Sequence, residues 1–373
     1  MTSHSKMKVL VALSGGVDSA VSAAILLEQG LSIEGVYVKT WEHEDDMLGE
    51  CPGAQDLKDA KNVAAHLGFN FRILNLVDFY RTHVVGPMVK GYASGVTPNP
   101  DVLCNREMKF GALLEYAKAE GFEALATGHY CKRVVDESGE VQLWEGADKN
   151  KDQSYFLSRI TPEQLEHARF PLGEHKKSEV RVKAQNLNLP VAAKKDSQGI
   201  CFLGKVKVPQ FLSHFIKDRP GEIITVHGEV VGEHLGLHRY TLGQRRGIGV
   251  PSNTDHKNYV VTGKDEGSNQ LIVAFEDPQE ETLWAKEFEV SELSFLSAEI
   301  PVSVSAFLGK ARYRDPSTSI RFHPLGQGKA RIVFQDPQRA LTPGQVLAFY
   351  EGERLMGSGI YSLQKDGRAA LSA

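Results

Sequence analysis

Near its start the chain has a short apolar run that breaks at Ser-Gly-Gly and is followed by apolar residues at helical spacing. The run covers residues 9–13, the break is Ser14–Gly16, and the helical pattern comprises Val17, Ala20, Val21, Ala24 and Ile25. This order predicts a strand, a tight glycine turn and a helix. Backbone N–H groups left free at the helix N-terminus, together with the helix dipole, favour an anion such as phosphate. Ser14 and Ser19 add hydroxyl groups, and Asp18 at an anion site indicates that Mg²⁺ would share it.

The glycine turn does not match the two commonest phosphate loops. It has neither the G-x-x-x-x-G-K-[ST] pattern nor the G-x-G-x-x-G dinucleotide pattern. The string SGGVDS resembles the pyrophosphate loop of the ATP-pyrophosphatase superfamily, whose members cleave ATP to AMP and pyrophosphate while adenylating a carbonyl oxygen. An ordinary glycine-rich strand-to-helix turn is the alternative, and the strand and helix on either side favour the functional interpretation.

Composition excludes several classes of protein. The chain has 373 residues, which predicts two to three domains, and a formal net charge of −4, so a nucleic-acid partner would need a local basic surface. Its four cysteines are scattered without a C-x-x-C pair, which argues against a disulfide scaffold or a zinc site. No apolar run approaches a membrane span and the first residues do not resemble a signal peptide, so we expect a cytoplasmic protein with no membrane partner.

Strand and helix patterns then alternate along the first third of the chain. They predict strands over 31–40, 69–76 and 122–127 and helices over 54–67 and 109–120. This alternation is typical of a parallel, doubly wound sheet, in which ligands bind outside the carboxyl ends of the strands. Ser14, residues 38–41 and residues 128–129 all follow predicted strands, so we expect them to line one crevice.

Residues 95–110 form a polar segment with two prolines and two asparagines, which predicts a rigid loop. If a helical turn begins at Pro100 or Asp101, the Asp101 carboxylate and the Cys104 thiol share a face. Arg106 and Lys109 would favour the thiolate. A buried structural cysteine is an equally good interpretation of this segment alone.

The stretch from Lys176 to Lys207 is strongly basic. It carries eight Lys or Arg residues against only Glu179 and Asp196, a balance of +6 in a chain that is −4 overall. This asymmetry favours a contact with a phosphate backbone, although a solvated helix face is the commoner cause of such a run. Cys201 lies in the segment DSQGICF within this stretch. Two isolated thiols, Cys104 and Cys201, are what persulfide or thiol-exchange chemistry would need if their segments meet in space.

From Glu222 onward, short β-branched runs alternate with Gly, Asp and Pro, which predicts a small all-β barrel. The fold class predicted for the whole chain is α/β plus β, with an N-terminal doubly wound sheet, a small central helical module and a C-terminal β-barrel. The predicted boundaries are a catalytic domain over 1–165, a basic tRNA-binding or adaptor module over 166–225, a barrel over 226–365 and a tail over 366–373.

Seven segments spread over nearly the whole length resemble the tRNA-specific 2-thiouridylases of the ATP-pyrophosphatase superfamily. They are SGGVDS (14–19), TPNPDVLCN (97–105), ATGHY (126–130), NKDQSYFL (150–157), DSQGICF (196–202), GLHRYTLGQRRGIG (236–249) and TPGQVLAFY (342–350). SGGVDS alone indicates only the superfamily. TPNPDVLCN and DSQGICF, in that order and spacing, are far more specific.

The resemblance implies a role for individual residues of this chain. The residues implied in ATP binding, with Mg²⁺ on the phosphates, are Ala12, Leu13, Ser14, Gly15, Gly16, Val17, Asp18, Ser19, Val38 and Gly128. The resemblance implies that the target base is contacted by Asn99, Pro100 and Asp101. It also implies that His129 lies next to the ATP site. The residues implied in other tRNA contacts are Lys151, Asp152, Gln153, Arg312, Tyr313 and Gln345.

The resemblance also implies a reaction. ATP would adenylate O2 of the wobble uridine, and a persulfide on Cys201 would attack C2, giving 2-thiouridine, AMP and pyrophosphate. Cys104 would attack C2 or resolve the persulfide into a Cys104–Cys201 disulfide, and Asp101 would handle the proton. The implied partners are the tRNAs for Lys, Glu and Gln and a sulfur donor, either a cysteine desulfurase or a sulfur-relay protein.

Two other functions compete with this one. The first is a ligase of the same superfamily that adenylates a small molecule, which would need neither the cysteine pair nor the basic stretch. The second is a tRNA-binding scaffold without activity, against which the intact SGGVDS and both thiols argue. Cys51 and Cys131 are interpreted as packing or surface thiols.

Overall fold

The computed structural model describes residues 6–42, 52–196, 207–251, 258–276, 283–297 and 299–362. Among these residues, no helix is both long enough and apolar enough to cross a bilayer. The segment with Cys201, the residue Cys51 and the predicted tail over 366–373 lie outside the described residues.

The N-terminal part is built on a five-stranded parallel sheet in the order β3-β2-β1-β4-β7. Its strands are β1 (Lys8–Ala12), β2 (Ser32–Lys39), β3 (Asn70–Asn75), β4 (Ala124–Ala126) and β7 (Ala168–Arg169). The chain runs from β1 outward to β3 and then returns to place β4 on the other side of β1. Such a reversal leaves a crevice between β1 and β4, where ligands of open α/β sheets bind.

Helices connect these strands and cover the sheet. The first group is α1 (Val17–Glu28), α2 (Pro52–Leu67), α3 (Val77–Tyr80), α4 (Gly86–Ala93), α5 (Pro100–Leu103) and α6 (Leu114–Ala119). The second group is α7 (Pro162–Glu166), α8 (Lys177–Asn186) and α9 (Val208–Leu212). Short 3-10 turns cover Ser154–Leu157 and Leu237–Arg239, and π-helical turns cover Arg81–Val85 and Cys104–Leu113. The predicted doubly wound parallel sheet is therefore confirmed.

One strand pair from the N-terminal half joins the C-terminal barrel. It is the hairpin of β5 (Cys131–Val135) and β6 (Val141–Glu145), and β6 pairs with the last strand of the barrel. In the pairing register Trp144 lies opposite Arg354 and Leu143 opposite Leu355. The hairpin thus extends a sheet that is otherwise formed more than 130 residues later in the chain.

The C-terminal half contains two sheets. The first has four strands in the order β10-β11-β8-β9, namely β8 (Gly221–Thr225), β9 (Val230–His234), β10 (Tyr259–Asp265) and β11 (Gln270–Phe275). The second closes into a six-stranded antiparallel barrel because β12 pairs with both β15 and β17. Its strands are β12 (Trp284–Phe295), β13 (Ser305–Lys310), β14 (Thr318–Gly326), β15 (Lys329–Arg339), β16 (Val346–Glu351) and β17 (Arg354–Tyr361). The predicted barrel is confirmed. A separate four-stranded sheet precedes it and begins at Gly221, inside the interval predicted for the basic module, and the predicted boundaries stay predictions.

The barrel interior is filled by aromatic side chains. Phe295, Phe307, Phe322 and Phe349 have ring centroids 5.6–6.2 Å apart. Such edge-to-face and offset pairs add to the free energy of burial of each ring. The barrel interior is therefore a packed hydrophobic core.

Candidate active site

The glycine turn after β1 is closed by hydrogen bonds of its own residues. Ser19 Oγ donates to Gly16 O over 3.1 Å and accepts from Ser14 N over 3.2 Å. Gly15 has φ +73°, and a Cβ there would lie 2.2 Å from Asp56 O. Only glycine fits this position, because the backbone is left-handed and the start of α2 packs against it. The amide groups of the first turn of α1 have no acceptor within the helix, so they are available to an anion.

Gly128 brings the end of β4 against the same helix N-terminus. A Cβ at this position would lie 2.9 Å from Ser19 N and 3.0 Å from Asp18 C. The loops after β1 and β4 are therefore in contact across the crevice, as the sequence predicts. Val38 and Trp41 lie at the carboxyl end of β2 with 6% and 7% of their surface exposed. They support this edge of the sheet from its hydrophobic core.

Asp18 is the centre of a charged network that sequence analysis does not reveal. Lys177 Nζ lies 2.7 Å and 2.9 Å from its two carboxylate oxygens, and Tyr130 Oη donates to Oδ1 over 2.7 Å. Burial raises the pKa of the Tyr130 hydroxyl, and the Asp18 carboxylate raises it further. Tyr130 is thus a permanent donor to Asp18. The ATGHY segment contains this tyrosine, but the sequence holds no signal for its partner.

Lys177 also reaches Asp196, the last described residue before the segment of Cys201. Its Nζ lies 2.8 Å from Asp196 Oδ1, and Lys151 Nζ lies 2.8 Å from Oδ2. Burial raises the pKa of the Asp196 carboxyl, but the hydrogen bonds from Lys151 and Lys177 outweigh it and lower this pKa. One lysine therefore links the glycine turn to the start of the DSQGICF segment.

The basic stretch is largely neutralised within the chain. Lys194 Nζ donates to Gly15 O over 2.9 Å and to the carboxylates of Asp56 and Asp59 over 2.7 and 2.5 Å. Lys183 pairs with Glu28, and Arg181 pairs with Asp196. Half of the eight cations, Lys177, Arg181, Lys183 and Lys194, are thus engaged by acidic residues. The +6 excess counted along the sequence overstates the charge that this surface offers to a partner.

His129 is an interior side chain next to the crevice between β1 and β4. It has 8% of its surface exposed, and its Nδ1 shares a 2.6 Å hydrogen bond with Thr127 Oγ1. Burial lowers its pKa well below the usual value, and Lys109 lowers it further. The ring packs beside Phe110 and Phe170. His129 is therefore neutral and held in place, so it supports the end of β4 by packing.

The segment with Asp101 and Cys104 is helical, which confirms the helical turn considered at Pro100 and shows that the predicted loop is wrong from Pro100 onward. Asn99 Oδ1 caps α5 by accepting from Val102 N over 3.2 Å, and Pro100 occupies the first turn. This cap and proline start a helix, which overrides the turn signal of the neighbouring prolines. Cys104 then begins the π-helix Cys104–Leu113, has no exposed surface and lies in the main hydrophobic core. The Cys104 thiol is therefore buried, whereas Asp101 is partly exposed.

The C-terminal barrel forms hydrogen bonds with the residues that precede α5. Gln345 Nε2 donates to Thr97 O over 2.7 Å and to Pro98 O over 3.2 Å, and Thr97 N donates to Pro343 O over 2.9 Å. Gly344 has φ +87°, and a Cβ there would lie within 3.1 Å of the Thr97 backbone. We call these contacts the 97–345 clamp. The structure thus places Gln345 against the chain itself.

The other predicted tRNA contacts lie at the same junction. Arg312 donates to the carbonyl oxygens of Arg339 and Ala340, and the Tyr313 ring lies 4.3 Å from that of Phe156. Asp152 is buried, accepts from Gly146 N over 3.0 Å and pairs with Lys310 over 3.3 Å. Gln153 Oε1 accepts from Tyr130 N over 3.1 Å. Their contacts with tRNA stay predictions.

Two further predictions concern thiols and metals. Cys131 is fully buried, and burial raises the pKa of its thiol, with Asp152 adding to the effect. It therefore fits the packing interpretation. Among the residues that the structure describes, no group of three or more His, Cys, Asp or Glu side chains could hold a metal ion.

Comparison with known proteins assigns the chain first to a class. The family description "tRNA methyl transferase HUP domain" matches residues 7–205. "tRNA methyl transferase PRC-barrel domain" matches 209–275, and "Aminomethyltransferase beta-barrel domain" matches 285–361. The chain is thus a HUP-domain protein in which two β domains follow the domain with the parallel sheet along the sequence.

Proteins with similar sequences identify the family of the chain. A tRNA-specific 2-thiouridylase MnmA from Akkermansia muciniphila is 48% identical over 354 residues, covering 95% of this chain and 98% of the relative. A protein of the same name from Streptococcus equi subsp. zooepidemicus is 43% identical and covers 98% of both chains. The chain belongs to the tRNA-specific 2-thiouridylase family, which confirms the resemblance read from its motifs.

Solved structures offer weaker likenesses. A 4-thiouridine synthetase in complex with RNA and ATP is 21% identical, with a TM-score of 0.37, covering 53% of this chain and 46% of that one. An NMN synthetase from Francisella tularensis is 18% identical, with a TM-score of 0.31, covering 52% and 67%. The family assignment rests on the sequence relatives.

Proposed function

We propose that this chain uses ATP to replace O2 of the wobble uridine of tRNA with sulfur. The observation that carries the proposal is the link between the glycine turn and the start of the second cysteine segment. Asp18 and Asp196 share Lys177, and Asp196 precedes Cys201 by five residues. An anion site for ATP that is joined by an ion pair to the start of the segment with the second thiol suits an adenylation followed by sulfur transfer.

The glycine turn would hold the phosphates of ATP. Its free amide groups face the crevice between β1 and β4, and Gly128 leaves room for the nucleotide there. Mg²⁺ is commonly bound by one or two carboxylates together with substrate phosphates, and Asp18 supplies such a carboxylate. The residues present fit both groups. Asp18 would then exchange part of its contact with Lys177 for the metal.

The substrate uridine would enter beside α5. Asn99, Pro100 and Asp101 start this helix, and a wobble base must leave the anticodon stack to be reached. The uridine O2 attacks the α-phosphorus of ATP, pyrophosphate leaves, and the amide groups of the turn stabilise the charge on it. Asp101 accepts or returns the proton.

Sulfur transfer would follow on the adenylated base. The terminal sulfur of a Cys201 persulfide attacks C2, and AMP leaves with the former O2. The Cys104 thiolate then attacks Cys201 Sγ, which releases 2-thiouridine and forms a Cys104–Cys201 disulfide. An external dithiol reduces this disulfide. Because Cys104 is buried, the first turn of the π-helix Cys104–Leu113 must shift to bring its thiol to the base.

The partners belong to the same proposal. The substrates are the tRNAs for Lys, Glu and Gln, and the sulfur comes from a cysteine desulfurase directly or through a relay protein. The chain would encounter these partners in the cytoplasm. The exposed cations beside the network, such as Lys176 and Lys195, would contact phosphates of the RNA.

Sulfur transfer in vitro tests the proposal. The protein, ATP, Mg²⁺, a persulfide source and unmodified tRNA are combined, and the digested nucleosides are measured by mass spectrometry. We expect 2-thiouridine with the native chain and with Cys131→Ser, and none with Cys201→Ser or Asp18→Ala. Formation of AMP that depends on a small amine or acid, with no thiolated nucleoside, would show a small-molecule ligase instead.

A further inference from the structure

The side-chain amine of Lys264 is buried where the N-terminal part, the four-stranded sheet and the C-terminal barrel meet. Lys264 is the penultimate residue of β10, and its Nζ has no hydrogen-bond acceptor among the described residues. Its aliphatic part is partly exposed, but the nitrogen atom itself is inaccessible to solvent. An ammonium group buried without a partner is costly, so such groups are rare unless a ligand or ion satisfies them.

The amine lines a small cleft. The cleft has a volume of about 50 Å³ and is bordered by residues of the catalytic part, the four-stranded sheet and the barrel. Its lining includes Ser94, Gly95, Thr97, Lys264, Glu266 and Thr342. This volume exceeds what one water needs and suits a group of a few atoms, but it cannot take a nucleobase.

The polar groups around the cleft favour a compact oxyanion. Three hydroxyl side chains border it beside the amine. Those of Ser94 and Thr342 donate to Gly91 O and Ala340 O, whereas Thr97 Oγ1 lies 3.4 Å from Thr241 Oγ1 and can turn its proton toward an oxyanion. Glu266 lies at the exposed rim, with Oε1 over Gly95, and it is the carboxylate that opposes an anion. His238 is the other titratable group close enough to interact with Lys264, and burial keeps its pKa low. The one cation in the cleft lining is therefore Lys264.

We propose that this cleft is a phosphate-binding site, with the Lys264 ammonium group as its charged donor. A phosphate oxygen would take the place of the missing acceptor, and charge-assisted hydrogen bonds of this kind are strong. Two sources could supply the group, namely a phosphodiester of bound RNA and free phosphate or pyrophosphate.

The position of the cleft gives such binding a consequence. Thr97 borders the cleft and is also a member of the 97–345 clamp. Residues 94–97 lead directly into the helix that begins at Pro100. A phosphate bound here would fasten the four-stranded sheet to the segment that presents Asn99 and Asp101. If RNA is the source, the site rests on the proposed function, whereas binding of inorganic phosphate does not depend on it.

A pair of variants with opposite expected effects tests the site. Lys264→Met removes the charge but keeps the length of the side chain, and Glu266→Gln removes the opposing carboxylate. The melting temperature is measured at pH 7 as sodium phosphate replaces chloride at constant ionic strength. A ligand that binds only the folded state raises this temperature. Phosphate binding at the glycine turn is common to all three proteins and cancels in the comparison.

We expect phosphate to raise the melting temperature most in Glu266→Gln, less in the native chain and least in Lys264→Met. Without phosphate, Lys264→Met should be at least as stable as the native chain because it buries no unpaired amine. Equal phosphate responses in the three proteins would overturn the proposal and show that water alone solvates the amine. A Lys264→Met chain that fails to fold would also overturn it, because the amine would then be a structural requirement.

Binding of unmodified tRNA as a function of salt then distinguishes the two sources. If the site holds an RNA phosphate, Lys264→Met weakens binding by roughly tenfold and lowers the slope of log K against log salt by about 0.9. If tRNA binding is unchanged while the phosphate response differs, the ligand is free phosphate or pyrophosphate. If the native chain binds no tRNA but responds to phosphate, the proposed function fails and the site stands.

Discussion

Gln345 distinguishes two ways in which the barrel could serve the reaction. The resemblance to relatives assigns it to tRNA binding, whereas its Nε2 donates to the carbonyl oxygens of Thr97 and Pro98. Gln345→Ala removes both bonds. A neutral hydrogen bond contributes about 0.5–1.5 kcal/mol net, so docking of the 97–98 segment on the barrel is weakened by roughly 1–3 kcal/mol. We therefore expect the single-turnover rate of thiolation to fall by roughly 5- to 150-fold, since about 1.4 kcal/mol in the barrier corresponds to tenfold in rate.

The assay separates rate from affinity. Single-turnover thiolation is measured at saturating tRNA, and the Kd for tRNA is measured by filter binding. We expect the Kd to change by less than about twofold, because the side chain faces the protein. Gln345→Glu should be more harmful than Gln345→Ala, since its carboxylate opposes two carbonyl oxygens and cannot donate to either.

A matched control lies in the same barrel. Gln338 Nε2 donates to Asp336 O over 2.9 Å, a contact at the exposed surface of the barrel, so Gln338→Ala should leave rate and affinity unchanged. A Gln345→Ala protein with a native rate and clearly weaker tRNA binding would refute the reasoning. The residue would then be an RNA contact, and the clamp would have no part in catalysis.

Three further predictions follow from single positions. Gly128→Ala should weaken ATP binding by at least about tenfold in calorimetry, because its Cβ would lie 2.9 Å from Ser19 N and displace the glycine turn; unchanged affinity would show that the crevice is not the nucleotide site. Burial lowers the pKa of Lys264 to about 8, so the unfolded chain binds more protons than the folded one between pH 8 and 10.5. The free energy of unfolding of the native chain should therefore rise with pH across this window relative to Lys264→Met, and parallel curves in urea titrations would contradict this. Cys131, whose thiol pKa is raised by burial, should react with iodoacetamide at pH 8 only after denaturation, as peptide mass spectrometry can show.

The sequence predicts the parts of this protein whose signals are local. The strand, glycine turn and helix at residues 8–28 lie where the apolar pattern predicts them, because one stretch of chain determines them. Alternation of strands and helices likewise predicts the parallel sheet, and the crevice follows from the order of its strands. Motif strings then identify the family.

Contacts between distant residues could not be predicted in this way. Asp18 and Lys177 are 159 positions apart, and Thr97 and Gln345 are 248 apart. Nothing in either local pattern shows that the partners meet. For the same reason the basic stretch suggests a free cationic surface, although acidic residues outside it pair with three of its eight cations, Lys177, Lys183 and Lys194. The loop predicted at residues 95–110 is wrong from Pro100 onward, because an asparagine cap and a proline in the first turn start a helix there.

The hairpin of β5 and β6 has a consequence for how the chain is made. Its partner strand β17 ends at residue 361, and Gln345 lies just before β16, so both come from the last tenth of the sequence. During synthesis the hairpin and the 97–98 segment therefore cannot form these contacts until almost the entire polypeptide has been made. Contacts of such long sequence separation form late in folding. A ribosome that stops early would release a chain that has the strands of its parallel sheet but lacks the barrel contacts that hold the segment leading into α5.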